Sequence, residues 1–278
     1  MDFLQELNQE QRRAVLPTAG PLLILAGAGS GKTRVIAYRV AYLIGDGHAA
    51  AHEVLAVTFT NKAAQEMRDR VERLLAEDCG GLWISTFHAF CARVLRRDGP
   101  AIGLHRDFVI YDTSDQLAVV RRSLKELDID DKLLPPRQAL SLISQAKNQM
   151  VDPDTLRSES WSAKGELAAN VYMHYQQALA EANALDFDDL LLRTVDLFAT
   201  EGLVKQQYAE RFRFVMIDEY QDTNRAQYVI LRAMSKDYPN LAVTGDPDQS
   251  IYRWRGADIK NILEFEADYP AVHVVRLE

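Results

Sequence analysis

Residues 26–33 read AGAGSGKT and lie between an apolar run at 21–25 and a helical pattern. Small residues at Gly27, Ala28, Gly29, Ser30 and Gly31 let successive backbone N–H groups close on phosphate oxygens. Lys32 is then spaced to reach the β- and γ-phosphates, and the Thr33 hydroxyl to take a Mg²⁺ position. The positive end of the following helix adds to the attraction. Ala26 stands where the strict G-x-x-x-x-G-K-[ST] pattern has its first glycine, a departure of one methyl group.

Such a cradle needs a second strand with carboxylates to hold the metal and orient water. The apolar run 214–217 supplies it, ending in the adjacent acids Asp218 and Glu219. Asp218 suits the outer shell of the metal, and Glu219 suits the general base that orients or deprotonates the attacking water. Alone, an Asp–Glu pair after a strand reads as a solvated turn. Beside a P-loop it completes a nucleotide-hydrolysing set.

The elements that must position these groups follow from periodicity. Residues 21–25, 54–58 and 83–85 read as buried strands. Helical patterns follow the first two, with Ile36, Val40, Leu43 and Ile44 on one face and Ala63, Met67, Val71, Leu74 and Leu75 on the other's. Strand, turn and helix in repetition predict the α/β class, a parallel sheet flanked by helices. From about 93 to 186 polar-faced helical stretches take over, with 108–111 as the exceptional strand candidate and Pro135-Pro136 and Asp152-Pro153 as punctuation. This reads as a helical insertion at 93–186 within a nucleotide-binding lobe made of 1–92 and 187–278. Alternation resumes with strands at 214–217, 241–244 and 272–275 and a helix at 225–234.

Composition narrows the class. With 278 residues, 47% hydrophobic and 26% charged, the chain is neither disordered nor fibrous and can bury a large core, with two lobes expected. The 32 Lys and Arg against 40 Asp and Glu give a net charge of −8, which argues against coating DNA by bulk charge but leaves room for a local basic groove. Two cysteines, Cys79 and Cys91, suggest neither a disulfide scaffold nor a zinc cluster. No apolar run approaches the ~18 residues of a membrane span. The polar N-terminal stretch lacks a signal-peptide core, so a cytoplasmic location is expected. The acids Asp186, Asp188 and Asp189 in LDFDDLL resemble a metal site at first sight. At a helix start followed by apolar residues they read as caps instead.

Five segments occur in a telling order: AGAGSGKT, VTFTNKAAQEM (57–67), ISTFHAF (84–90), VMIDEYQDTN (215–224) and VTGDPDQSIYRWRGAD (243–258). Together they resemble the N-terminal half of the UvrD/Rep/PcrA group of superfamily 1 DNA helicases, across nearly the whole chain. The resemblance implies a RecA-like P-loop lobe with an all-helical inserted subdomain, and ATP with Mg²⁺ as cofactors. By the same resemblance Gln11 reads the adenine edge, Arg34 packs on the adenine, and Gln249 senses the γ-phosphate. Phe59, Tyr252 and Trp254 resemble aromatics on which single-strand bases stack, which is sequence-tolerant because every base has a π-face. Thr60, Asn61, Thr86, His88 and Arg255 are the matching phosphate or sugar contacts.

The implied partners are single-stranded DNA and single/double-strand junctions, with no membrane. The implied activity is ATP-driven 3′-to-5′ translocation and unwinding, of the kind used in DNA repair and replication. In such relatives the strand at 272–278 leads into an arginine that contacts the γ-phosphate and then into a second RecA-like lobe, both expected to be absent here. Residues 1–278 would then not be competent alone. The alternative is a non-catalytic module that binds ATP and single-stranded DNA or docks a partner.

Overall fold

A computed structural model describes residues 2–27, 29–76, 79–159, 162–249 and 260–277. Its strands are β1 (Leu22–Ala26), β2 (Val54–Thr58), β3 (Trp83–Thr86), β4 (Val109–Ile110), β5 (Ala184–Leu185), β6 (Phe214–Ile217), β7 (Leu241–Gly245) and β8 (His273–Leu277). The longer helices are α1 (Gln9–Val15), α2 (Lys32–Gly45), α3 (Asn61–Leu75), α4 (Phe87–Asp98), α5 (Thr113–Glu126), α6 (Pro136–Asn148), α7 (Pro153–Glu159), α8 (Ala163–Glu181), α9 (Phe187–Thr200), α10 (Gly202–Arg211) and α11 (Arg225–Ser235). The chain forms two compact units: Met1–Phe90 with Gly202–Thr223 and Gln227–Glu278, and Cys91–Glu201 with Asn224–Ala226.

The first unit is built on a six-stranded sheet in the order β3-β2-β6-β7-β1-β8, with every neighbouring pair parallel. Its inner strands are near-continuous aliphatic runs because helices cover both faces; β2, β6 and β7 are buried throughout, and of β1 only Leu25 is partly exposed. The core joins Ile24, Ala56, Met216 and Ala242 of the sheet to Val35, Ile36 and Val40 of α2 and Met67 and Val71 of α3. These are the helical faces the spacing predicts. Because the strands are parallel, the loops after β1, β2, β3, β6 and β7 emerge along one edge, where α/β sheets carry their sites.

Helices dominate the second unit, packed around Val120, Leu124, Ile143, Tyr172, Tyr175 and Leu179. They are joined by one short parallel ribbon, Val109↔Ala184 and Ile110↔Leu185. The strand candidate at 108–111 is its first half. Its partner escapes sequence reading because two residues are too few for alternation to show. Helix α9 falls in this unit, whereas the sequence boundary at 186/187 assigns it to the sheet lobe. The cause is local: Asp186 and Asp189 at its start bind Lys147 of α6, and Asp186 also binds Tyr175 of α8.

Candidate active site

The chain leaves β1 at Ala26 and enters α2 at Lys32 through the glycine-rich turn. Gly31 caps the helix at φ 90°, a left-handed backbone that L side chains rarely adopt. A Cβ there would also lie 3.3 Å from the Gln11 amide nitrogen, a tight contact, but the left-handed backbone is what calls for the glycine. Ser30 Oγ ties the turn by donating to the Gly27 carbonyl at 2.7 Å. Gln11 is brought to the turn by α1, where Asn8 and Gln11 form a reciprocal capping box. With its Oε1 used by the Asn8 N–H at 3.2 Å, its Nε2 donates to the Ser30 carbonyl at 3.2 Å. Arg34 lies on the first turn of α2 with its guanidinium 5.0 Å over the Tyr38 ring, donating to Glu6. Ala28 lies outside the described residues.

Asp218 stands at the end of β6, only 3% exposed. Its two oxygens accept from Thr33 Oγ1 at 2.6 Å and from Thr244 Oγ1 of β7 at 2.7 Å. Burial pushes its pKa above the ordinary carboxylate range, with the two hydroxyls pulling the other way. A hydroxyl and a carboxylate oxygen in hydrogen-bond contact form a hard donor set suited to a small divalent cation that keeps water and phosphate oxygens as its other ligands. Among the described residues no group of three His, Cys, Asp or Glu could hold a metal by itself.

Lys32 is buried, with Nζ 3.2 Å from Glu219 Oε2 and donating to Gln249 Oε1 at 3.5 Å. Glu219 carries a left-handed backbone at φ 53°, uncommon for a residue with a Cβ, and its side chain is a third exposed. Gln249 follows β7 and donates through Nε2 to the Asp246 carboxylate. The expected phosphate-binding, metal-binding and hydrolytic residues thus share one edge of one sheet.

The same edge carries the expected strand contacts from β2 and β3, whose ends are in register at Thr58↔Thr86. Phe59 is half-buried, and Thr60 caps α3 by accepting from the Ala63 N–H at 3.1 Å. Asn61 opens α3, exposed. Thr86 accepts from the Ala89 N–H at 3.3 Å, and His88 is half-buried on α4. Tyr252, Trp254 and Arg255 lie outside the described residues.

Sequence reasoning passed over three polar residues of this site: Gln221, Thr244 and Asp246. Thr244 had a usable signal, since a hydroxyl within a strand buried on both faces must find a partner. Of the acids of LDFDDLL, Asp186 caps α9 in a reciprocal box with Asp189, as expected, whereas Asp188 accepts instead from the Ser144 hydroxyl and the Asn148 amide. Cys79 and Cys91 are both buried as thiols.

Residues 7–270 match the UvrD/REP helicase N-terminal domain family. The chain is 49% identical over 276 residues to the ATP-dependent DNA helicase PcrA of Bacillus subtilis, covering 99% of this chain and 37% of that protein. To PcrA of Staphylococcus aureus it is 47% identical over 276 residues, covering 99% and 38%. The chain therefore spans well under half the length of these relatives. Among the described residues, no helix is long and apolar enough to cross a membrane.

Proposed function

This chain belongs to the UvrD/REP helicase N-terminal domain family, and on that footing we propose that it is the ATP-binding motor lobe of a 3′-to-5′ single-strand DNA translocase and helicase. The observation that carries the reading is one sheet edge holding Lys32 against Glu219 and Thr33 against Asp218, at the N-terminus of a 14-residue helix. Triphosphate oxygens take the turn's N–H groups and draw Lys32 from Glu219. Water then attacks the γ-phosphorus. A new P–O bond forms, the bond to the β–γ bridging oxygen breaks with its electron pair leaving on ADP, and the water proton passes to the Glu219 carboxylate. Thr33 and Asp218 would hold Mg²⁺, which would supply charge neutralisation for the phosphates.

Gln11 and Arg34 serve the adenine, Gln249 the γ-phosphate. A second RecA-like lobe closes the site and completes the DNA track. Phe59 with Tyr252 and Trp254 stacks bases, while Thr60, Asn61, Thr86, His88 and Arg255 hold the sugar-phosphate backbone.

The test is binding, turnover and polarity together. MgATP should bind and be lost in Lys32→Ala, and unwinding by the chain joined to a second motor lobe should need a 3′ tail. Phe59→Ala should weaken single-strand affinity by ~1–3 kcal/mol without changing its salt slope, because stacking releases few counterions. Nucleotide and DNA binding without turnover, even with a second lobe supplied, would instead favour the non-catalytic module.

A further inference from the structure

Among the described residues Glu219 Oε2 meets two partners of different kinds. Lys32 Nζ lies 3.2 Å away, and Gln221 Nε2 donates at 2.8 Å. The lysine is the one that phosphate oxygens draw off. Gln221, by contrast, is a neutral amide only 1% exposed.

The orientation of that amide is set by its other end. Gln221 Oε1 accepts from the Asp246 backbone N–H at 3.1 Å. A backbone N–H can only donate, so the amide oxygen must face Asp246 and the NH₂ must face the acids. That NH₂ also reaches Asp222 Oδ2 at 3.4 Å. The strand end beside it is fitted to the amide as well: a Cβ on Gly245 would meet Gln221 Oε1 at 2.8 Å and Ile262 Cδ1 at 2.5 Å. Asp246 in turn receives the Nε2 of Gln249. A single buried amide therefore spans from the acid after β6 to the turn after β7.

We infer that Gln221 is the positioning residue that holds the Glu219 carboxylate in its hydrolytic place once Lys32 is drawn onto phosphate, and that it ties this carboxylate to the Asp246–Gln249 turn. The inference rests on the reading of Glu219 as the base for ATP hydrolysis. It explains how an acid on a left-handed backbone keeps one side-chain direction after losing its cation. It also explains the residue type. Alanine offers neither end of the bridge, and glutamate keeps the acceptor for Asp246 but turns a second carboxylate oxygen on Glu219.

The test compares affinity for MgADP with affinity for MgADP plus aluminium fluoride, a planar stand-in for the phosphoryl group in transfer. Both are measured on the full chain, with melting curves as a check on folding. Gln221→Ala and Gln221→Glu should leave MgADP affinity near wild type and cut the fluoride-dependent gain ~10-fold or more, the weight of one hydrogen bond to a charged group. Gly245→Ala, which crowds the same amide from the other side, should act in the same direction. Where turnover is measurable, kcat should fall with KM unchanged. A Gln221→Ala protein that keeps the full gain overturns the inference, as does a wild type that binds MgADP but gains nothing from the fluoride. A wild type that binds no nucleotide overturns the ATP reading itself, a distinguishable failure.

Discussion

Two buried lysines in this molecule each face carboxylates, and they are built to opposite ends. Lys147 of α6 has Nζ 2.7 Å from Asp186 and 2.8 Å from Asp189, all three side chains almost fully buried. The acids are satisfied from every side. Asp186 also accepts from Tyr175 and the Asp189 N–H, and Asp189 from Gln176 and the Asp186 N–H. Burial works against the Lys147 charge, yet Asp189 and Asp186 outweigh it and hold its pKa above the usual lysine range. Lys32 is held loosely by comparison: its contacts are 3.2 and 3.5 Å, and its acid, Glu219, is a third exposed. A closed set resists any new ligand, whereas an open one can trade its partner for phosphate. Residue type does not separate structure from function here. Completeness of pairing does.

The widest contrast comes from removing each lysine. Lys147→Met leaves two buried carboxylates without a cation, a loss of ~3–5 kcal/mol that should appear as a large fall in Tm. Lys32→Met leaves a partly exposed acid that water can solvate, so Tm should stay near wild type while MgATP binding disappears. Equal destabilisation by the two changes would erase the distinction between a closed and an open pair.

Glu219→Gln sharpens the open side. The neutral amide keeps the shape and the hydrogen-bonding reach but cannot take a proton, so kcat should drop by ~10²–10⁴ with nucleotide affinity retained. An equal loss of MgATP binding would show that Glu219 serves the metal or the phosphates and that its role has been exchanged with that of Asp218.

The two sites also differ in how far the sequence discloses them. The open site is written contiguously, in AGAGSGKT and in DE after an apolar strand, because each half is one strand end and one turn. The sheet and its flanking helices were legible for the same reason: aliphatic runs and helical spacing are local. The closed site joins Lys147 to acids 39 and 42 residues away, and only the packing of α6 on α9 connects them. A signal was present nonetheless. Lys147 continues the apolar stripe Ala139, Ile143, Ala146 of α6, where a charge must be paired to be buried. Gln221 was hidden differently, as one more polar residue in a polar run, its importance fixed by a strand neighbour that the sequence does not order.

The smallest effect tests whether the closed cluster is closed throughout. Asp188 sits beside the lysine's two acids but takes neutral donors, Ser144 Oγ at 2.6 Å and Asn148 Nδ2 at 3.2 Å. Burial first, and the neighbouring Asp186 second, push its pKa from 3.8 to about 6. An acid raised in the folded state favours folding only while protonated. Its contribution is complete below pH 3.8 and lost as pH rises through about 6. At neutral pH the folded protein carries this charge at a cost of ~3 kcal/mol at most, taking ~1.4 kcal/mol per pKa unit. Asp188→Asn removes the titration while keeping the size and one acceptor for Ser144 or Asn148. Its stability relative to wild type should therefore rise as pH goes from 4 to 7, read as a growing Tm difference across that interval. Asp186 is the internal control, since Lys147 holds its pKa below the ordinary value against the effect of burial, and its contribution is lost as pH falls instead. A Tm difference between Asp188→Asn and wild type that stays flat over this range would mean that the charge of Lys147 extends to the third acid, and that the cluster neutralises all three.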